Sequence, residues 1–294
     1  MPKRLLLSAL AVLLAAPAGL AAGPVRIVAA ENFYGDVARQ IGGADVAVTS
    51  ILRNPDQDPH LFEVSPSVAR AVATARIVIS NGIGYDPWMR SLLAANRAAN
   101  RAAHRQSLVV ADLVGRKPGD NPHIWYDPAT MPALARALTR LLVRADPAHA
   151  AGYRRRRARF LASLQPLQAR IAALRRRLAG TPVTATEPIF GEMFAALGLR
   201  VRNAGFQLAL MNNTEPGAAE VAAFETDLRM HRVRLLVYNS QATDPIARRM
   251  ARIARAAHVP VVGATETEPP GESYQGWMLR ELEAVAHALP PPAP

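Results

Sequence analysis

The chain has 294 residues, half of them hydrophobic, which is enough for two lobes with real cores and too apolar for a disordered protein. Its formal charge of +12 comes mainly from arginine, so nucleic-acid binding has to be weighed. It holds no cysteine, which excludes a disulfide scaffold.

Residues 1–22 differ from everything after them. Lys3 and Arg4 precede an apolar run over 5–14, and small residues follow through Ala22. That order matches a secretory signal peptide, with cleavage expected near Ala22. The apolar run is too short to serve as a membrane anchor. Without a cysteine at the junction, the expectation is a soluble periplasmic protein with no lipid anchor.

From residue 23 onward, short β-like runs alternate with helical stretches. Runs at 25–30, 46–52, 76–81 and 107–111 form one set, and runs at 182–186, 199–203, 234–239 and 259–265 form a second. Most are continuous apolar stretches rich in β-branched residues, the pattern of parallel strands buried on both faces. Helices are predicted over 33–41, 66–75, 188–197, 218–230 and 245–257. The fold class expected is α/β, with two lobes that each hold a small parallel sheet flanked by helices.

Between the two sets lies a helical region. Asp127-Pro128 predicts a helix start running to about Arg144, by the N-cap and N1 preferences. Asp146-Pro147 predicts a second, ending near Ala179-Gly180, with a kink or break at Pro166. A helix of that length, about 45 Å, joins the two lobes as one long connector. The arginine clusters at 154–157 and 175–177 flank an apolar stripe of Phe160, Leu164, Leu167, Ile171, Leu174 and Leu178. They therefore lie on the solvated face, and an exported chain has little access to nucleic acid. The predicted division is signal peptide 1–22, first lobe 23–145, connector 146–180 and second lobe 181–294.

In open parallel sheets, ligands bind beyond the carboxyl ends of the strands. His60 follows the second run in "RNPDQDPHLFEVSPS", and His123 follows the fourth in "DNPHIWYDP". Glu187 follows the fifth in "TATEPIFGEMF", and Glu266 follows the eighth in "GATETEPPG". Two imidazoles and two carboxylates suit a divalent transition metal such as Mn, Fe(II) or Zn. Each residue also has an ordinary reading. A lone histidine beside apolar residues is often simply packed, Glu187 before Pro188 can cap a helix, and Glu266 can be a loop carboxylate. Glu268 competes with Glu266. His104, His149, His231, His258 and His287 read as surface or structural. No Gly-rich phosphate loop, GxSxG nucleophile or HExxH pair occurs.

Together these motifs make the chain resemble the metal-binding solute receptors of bacterial ABC importers for zinc and manganese. The resemblance runs from "ENFYGDVARQIGG" to "VVGATETEPPGESYQGWM" and includes "NGIGYDPWM", which reads as structural. It implies His60, in "DPH", as the first metal ligand and His123, in "NPHIWYDP", as the second. It passes the third role to Glu187 and the fourth to Glu266, where the family commonly has Asp. It also implies a monomer that hands one Zn or Mn ion, with Fe possible, to an inner-membrane ABC permease and is not an enzyme. Two departures from zinc-type members lean toward Mn or Fe. The segment 114–120 carries no His-rich insertion, and Glu187 stands where zinc members tend to have a third histidine. The rival readings are a metalloenzyme with an open metal position and an adhesion protein with a structural metal.

Overall fold

The computed structural model describes residues 23–54, 62–95 and 104–290. The expected signal peptide, residues 1–22, and His60 lie outside the described residues. The first sheet contains β1 (Val25–Glu31), β2 (Val46–Leu52), β3 (Ile77–Ser80) and β4 (Gln106–Val109). The second contains β5 (Pro182–Ala185), β6 (Arg200–Val201), β7 (Leu236–Asn239) and β8 (Val261–Ala264). All pairings are parallel, in the orders β2-β1-β3-β4 and β6-β5-β7-β8. The two sheets thus repeat one topology, and in each the chain reverses direction beside its first strand.

The period-two alternation of the strands decides which core each side chain enters. In β1 and β3, Ile27, Ala29, Ile77 and Ile79 point into the main core, while Val28, Ala30 and Val78 pack against Val72 and Met89 on the outer face. In β7, Val237 joins the main core and Leu236 joins an outer cluster around Phe206, Phe224 and Met250. Central strands are therefore apolar on both faces. The edge strands are the exceptions: β2 alternates in exposure, and both residues of β6 are exposed.

The main core extends from Ile27 to Leu289 and takes residues from both lobes and from the connector. The connector consists of two helices, Ala150–Ser163 and Gln165–Leu178, interrupted at Leu164. The interruption has a local cause: Pro166 has no N–H to offer the carbonyl of Ala162, four residues back. Leu164, Leu167, Ile171, Leu174 and Leu178 still form one buried stripe across the break.

Other element ends differ from the sequence expectation. The helix expected from Asp127-Pro128 spans Thr130–Ala145, because Asp127 Oδ1 accepts from the Ala129 N–H, 2.9 Å, and holds a turn ahead of it. The stretch 188–197 is a 3₁₀ turn, Pro188–Phe190, followed by the helix Gly191–Leu197. His104 sits in a turn with positive φ.

The last helix, Tyr274–Ala288, carries a buried acid, Glu281, beneath β8. Its Oε1 accepts from Trp277 Nε1 at 2.7 Å. Burial pushes this carboxyl up to about 7, against hydrogen bonds from Tyr126 and Trp277 that pull it down. The folded protein therefore binds more protons than the unfolded chain between the ordinary glutamate range and about pH 7. The stability that this group contributes is full below that window and falls as pH rises through it. Glu281→Gln is expected to gain on the order of 2–3 kcal/mol over the wild type at pH 8 and almost nothing at pH 4.5. Urea unfolding of both proteins at the two pH values checks this, and parallel pH dependences would refute it.

Candidate metal centre

The carboxyl ends of the strands from both sheets face one another across the interlobe cleft. The tripeptide Ala-Thr-Glu closes β5 and recurs at the end of β8, so Glu187 and Glu266 each stand two residues past a strand. His123 comes from the segment after β4, just before the 3₁₀ turn Ile124–Tyr126. Donor atoms of His123, Glu187 and Glu266 all lie within 4.8 Å of one another, and all three residues are buried. Ligand bonds of about 2.0–2.2 Å hold donors no more than roughly 4.4 Å apart, so this set needs at most a small contraction around one ion.

His123 is fully buried. Its Nδ1 donates to Asn121 Oδ1 at 2.7 Å, which fixes the tautomer and leaves Nε2 with a lone pair. Nε2 is buried with no hydrogen-bond partner, and the nearest carboxylate oxygen, Glu266 Oε2, is 3.7 Å away. A desolvated nitrogen without a partner is costly unless something else binds it. Asn121 also donates from Nδ2 to the carbonyl of Pro188 at 2.8 Å, tying the His123 segment to the Glu187 segment.

Glu266 is fully buried and held on both sides. Its Oε2 accepts from the Tyr85 hydroxyl at 2.9 Å, and its Oε1 accepts from Asn239 Nδ2 at 2.5 Å. Its N–H donates to Gln241 Oε1 at 2.5 Å. Burial and the Glu266 charge push the Tyr85 hydroxyl well above the usual range, so Tyr85 keeps its proton and acts as a donor. Tyr85 is presented by a turn that needs glycine. Gly82 has φ of +87°, and a Cβ there would come within 2.5 Å of Val109.

Glu187 is 6% exposed and makes no side-chain capping bond, so the helix-capping reading does not hold. Glu268 stands apart from the cluster: its backbone is clamped by Asn32, which donates to its carbonyl at 2.7 Å and accepts from its N–H at 2.9 Å. Of the two competing acids, Glu266 is the one brought to His123 and Glu187.

A second buried acid pair, Glu31 at the end of β1 and Asp86, lies behind Tyr85. Asp86 accepts from the N–H groups of Asn81 and Gly82 at 2.6 and 2.9 Å. Burial and the neighbouring Asp86 push Glu31 well above the usual carboxyl range.

Cross-lobe bonds frame the centre. Tyr126 donates to the Thr265 carbonyl, 2.8 Å, and Tyr274 to the Trp125 carbonyl, 2.7 Å. Arg116 bridges Asp127 and Glu192 at 3.0 and 2.5 Å. An open cleft lined by Glu187, Asn213, Thr214, Glu215, Asn239 and Asp244 leads inward to the buried cluster.

Comparison with known proteins accords with this geometry. A family model described as zinc-uptake complex component A, periplasmic, matches residues 27–288. A "putative metal-binding protein" of Treponema pallidum is 22% identical over 282 residues, covering 89% of this chain and 86% of that protein. The manganese-binding lipoprotein MntA of Halalkalibacterium halodurans is 28% identical over 144 residues, about half of each chain (49% and 47%). Among solved structures, the periplasmic zinc binding protein TroA of Treponema pallidum superposes with a TM-score of 0.75 at 17% identity, covering 90% of this chain and 99% of that one.

Proposed function

The chain belongs to the zinc-uptake complex component A family, and from that membership we propose that it is a periplasmic receptor capturing one divalent transition-metal ion for an ABC permease. The observation that carries the reading is the buried, unpartnered Nε2 of His123, set among the carboxylates of Glu187 and Glu266. We assign these three residues as ligands. His60 completes the proposed set on the strength of its motif.

The ligands come from both lobes, which suggests how the ion is held and released. Closing the cleft brings Glu187 and Glu266 to His123, and a small separation of the lobes disperses the donors. Cross-lobe bonds such as Tyr85 to Glu266 favour a modest hinge over wide opening. A single chain supplies all four proposed donors, which fits a monomer. Tyr85, Asn239 and Asn121 are engaged in holding ligands, which supports a binding protein rather than an enzyme. Export by cleavage near Ala22, without a lipid anchor, is supported by the leader-like segment and the cysteine-free sequence.

The donor set is rich in hard oxygen, which supports Mn or Fe(II) as cargo. Zn is still expected to bind more tightly than Mn in vitro, following the Irving–Williams order. Calorimetric competition of Zn(II), Fe(II) and Mn(II) on the metal-free protein tests the proposal. One-to-one binding of all three, with Mn weakest, is the expected result; no saturable binding would sink it.

A further inference from the structure

The excess charge of this protein is not spread over its surface. Residues 130–180 contain twelve arginines and a single acid, Asp146, for a net of +11, while the whole chain carries +12. This segment is a helical hairpin: Thr130–Ala145 packs against Ala150–Ser163 through a short turn, and the connector continues into Gln165–Leu178.

Within the hairpin the arginines fall into two groups. Some are tied inward: Arg156 pairs with Asp45 at 2.6 Å, and Arg170 pairs with Glu283 at 2.6 Å. Arg175 and Arg177 donate to backbone carbonyls of Ala195, Ala196 and Ala286, and six others point outward. Arg136, Arg140 and Arg144 recur every four residues along one exposed ridge of the first helix. Arg154, Arg155 and Arg159 occupy the exposed face of the second, opposite the buried Tyr153 and Phe160. Among the described residues, none of these six has a carboxylate partner. Ala158 and Ala162 are exposed beside them and leave room for a broad surface to approach.

We propose that this arginine face of the hairpin docks on anionic phospholipid headgroups. Like charges four apart on a helix repel one another, and a polyanionic surface relieves that repulsion. Arginine suits such a surface because its planar fork can bind phosphate oxygens two at a time. No large apolar side chain projects among the six, so the contact is electrostatic, without insertion into the hydrocarbon. The face also lies clear of the metal centre. The hairpin turn sits at the foot of β1, beside Pro24 and Arg26, whereas the metal donors follow the opposite, carboxyl ends of the strands. A docked receptor keeps its cleft open. The inference rests on the periplasmic reading above, because only there does the chain meet a phospholipid leaflet that also carries a permease.

The test is co-sedimentation of the full protein with phosphatidylcholine vesicles, with and without about 30 mol% phosphatidylglycerol, at ionic strengths of about 0.05 and 0.5 M. Partitioning at least about 10-fold higher onto the anionic vesicles is expected at low salt and is lost at high salt. R136Q/R140Q/R144Q/R154Q/R155Q/R159Q should reduce it to the phosphatidylcholine level while leaving the metal titration unchanged. Equal binding to both vesicle types, or salt-insensitive binding by the wild type, overturns the proposal without reference to any variant. So does wild-type-like binding by the folded variant, or selective binding of single-stranded nucleic acid with no binding to anionic vesicles. Failure of the wild type to bind metal sinks the receptor reading instead and leaves the vesicle result standing.

Discussion

His123→Ala is expected to weaken metal binding by more than about 100-fold, beyond the roughly 10–100-fold typical of residues that only support a ligand. The substitution removes the one uncommitted nitrogen that the described residues bring to the cluster, and leaves Glu187 and Glu266 as adjacent buried carboxylates without a cation between them. Glu266→Ala should lose a comparable amount, because one of the two second-lobe donors disappears and the Tyr85 and Asn239 donors that hold it are stranded. Tyr85→Phe is the informative contrast. It deletes one hydrogen bond to Glu266 Oε2 and no donor to the metal, so its loss should fall within the 10–100-fold range. Competition titration against a chelator of known affinity ranks the three. If Tyr85→Phe cost as much as His123→Ala, the division between ligands and supporting residues would be wrong. If His123→Ala bound as the wild type does, the centre would lie elsewhere.

The α/β alternation was legible because parallel strands buried on both faces leave an unusual signature. The run 77–79, Ile-Val-Ile, is apolar throughout, and Gly82 punctuates the turn that follows the strand. The same rule located His123, Glu187 and Glu266, since each follows a strand end. Applied to every strand, it would also have reached Asn239, the last residue of β7, and Glu31, the last of β1. Tyr85 was harder. It lies in a motif that read as structural, and only the approach of the two lobes turns its hydroxyl toward Glu266, 181 residues away. Asn121 stood two residues before His123 in plain view, but an asparagine in a Pro-rich loop reads first as a turn former. The placement of Glu187 was recognised while its N-cap role was not excluded. That required seeing that the turn after it takes no capping bond from the Glu187 side chain.

The break at Leu164 shows how far local chemistry carries. Pro166 predicted an interruption, and the interruption is a single residue because the buried stripe on either side stays in phase. A deeper kink would have turned Leu167 and Ile171 out of a core that both lobes share. The connector is thus stiff through its packing as well as through its hydrogen bonds, which agrees with the many cross-lobe bonds near the centre.

Trp125→Ala is expected to cost about 3–5 kcal/mol, the range for deleting a large buried aromatic. Trp125 is fully buried, with ring centroids 4.8 Å from Phe33, 5.0 Å from Tyr85, 5.2 Å from His123 and 5.9 Å from Tyr126. Removing it opens a cavity against the ring of His123 and frees Tyr85, so the loss reaches the metal centre as well as the fold. Against a total stability of about 5–15 kcal/mol, the metal-free variant is left marginal. Metal at about 100 times its dissociation constant would return roughly 2.7 kcal/mol if the centre survived, and less in proportion to any affinity lost. Trp125→Phe separates packing from polarity. Trp125 Nε1 is buried without a partner, so phenylalanine keeps most of the aromatic contact and removes an unsatisfied donor. Its cost should stay below about 2 kcal/mol, with metal affinity near that of the wild type. Denaturant unfolding with and without metal measures both terms. A Trp125→Ala variant within about 1 kcal/mol of the wild type would mean that neighbouring rings collapse into the space, and that His123 owes its position to Asn121 alone.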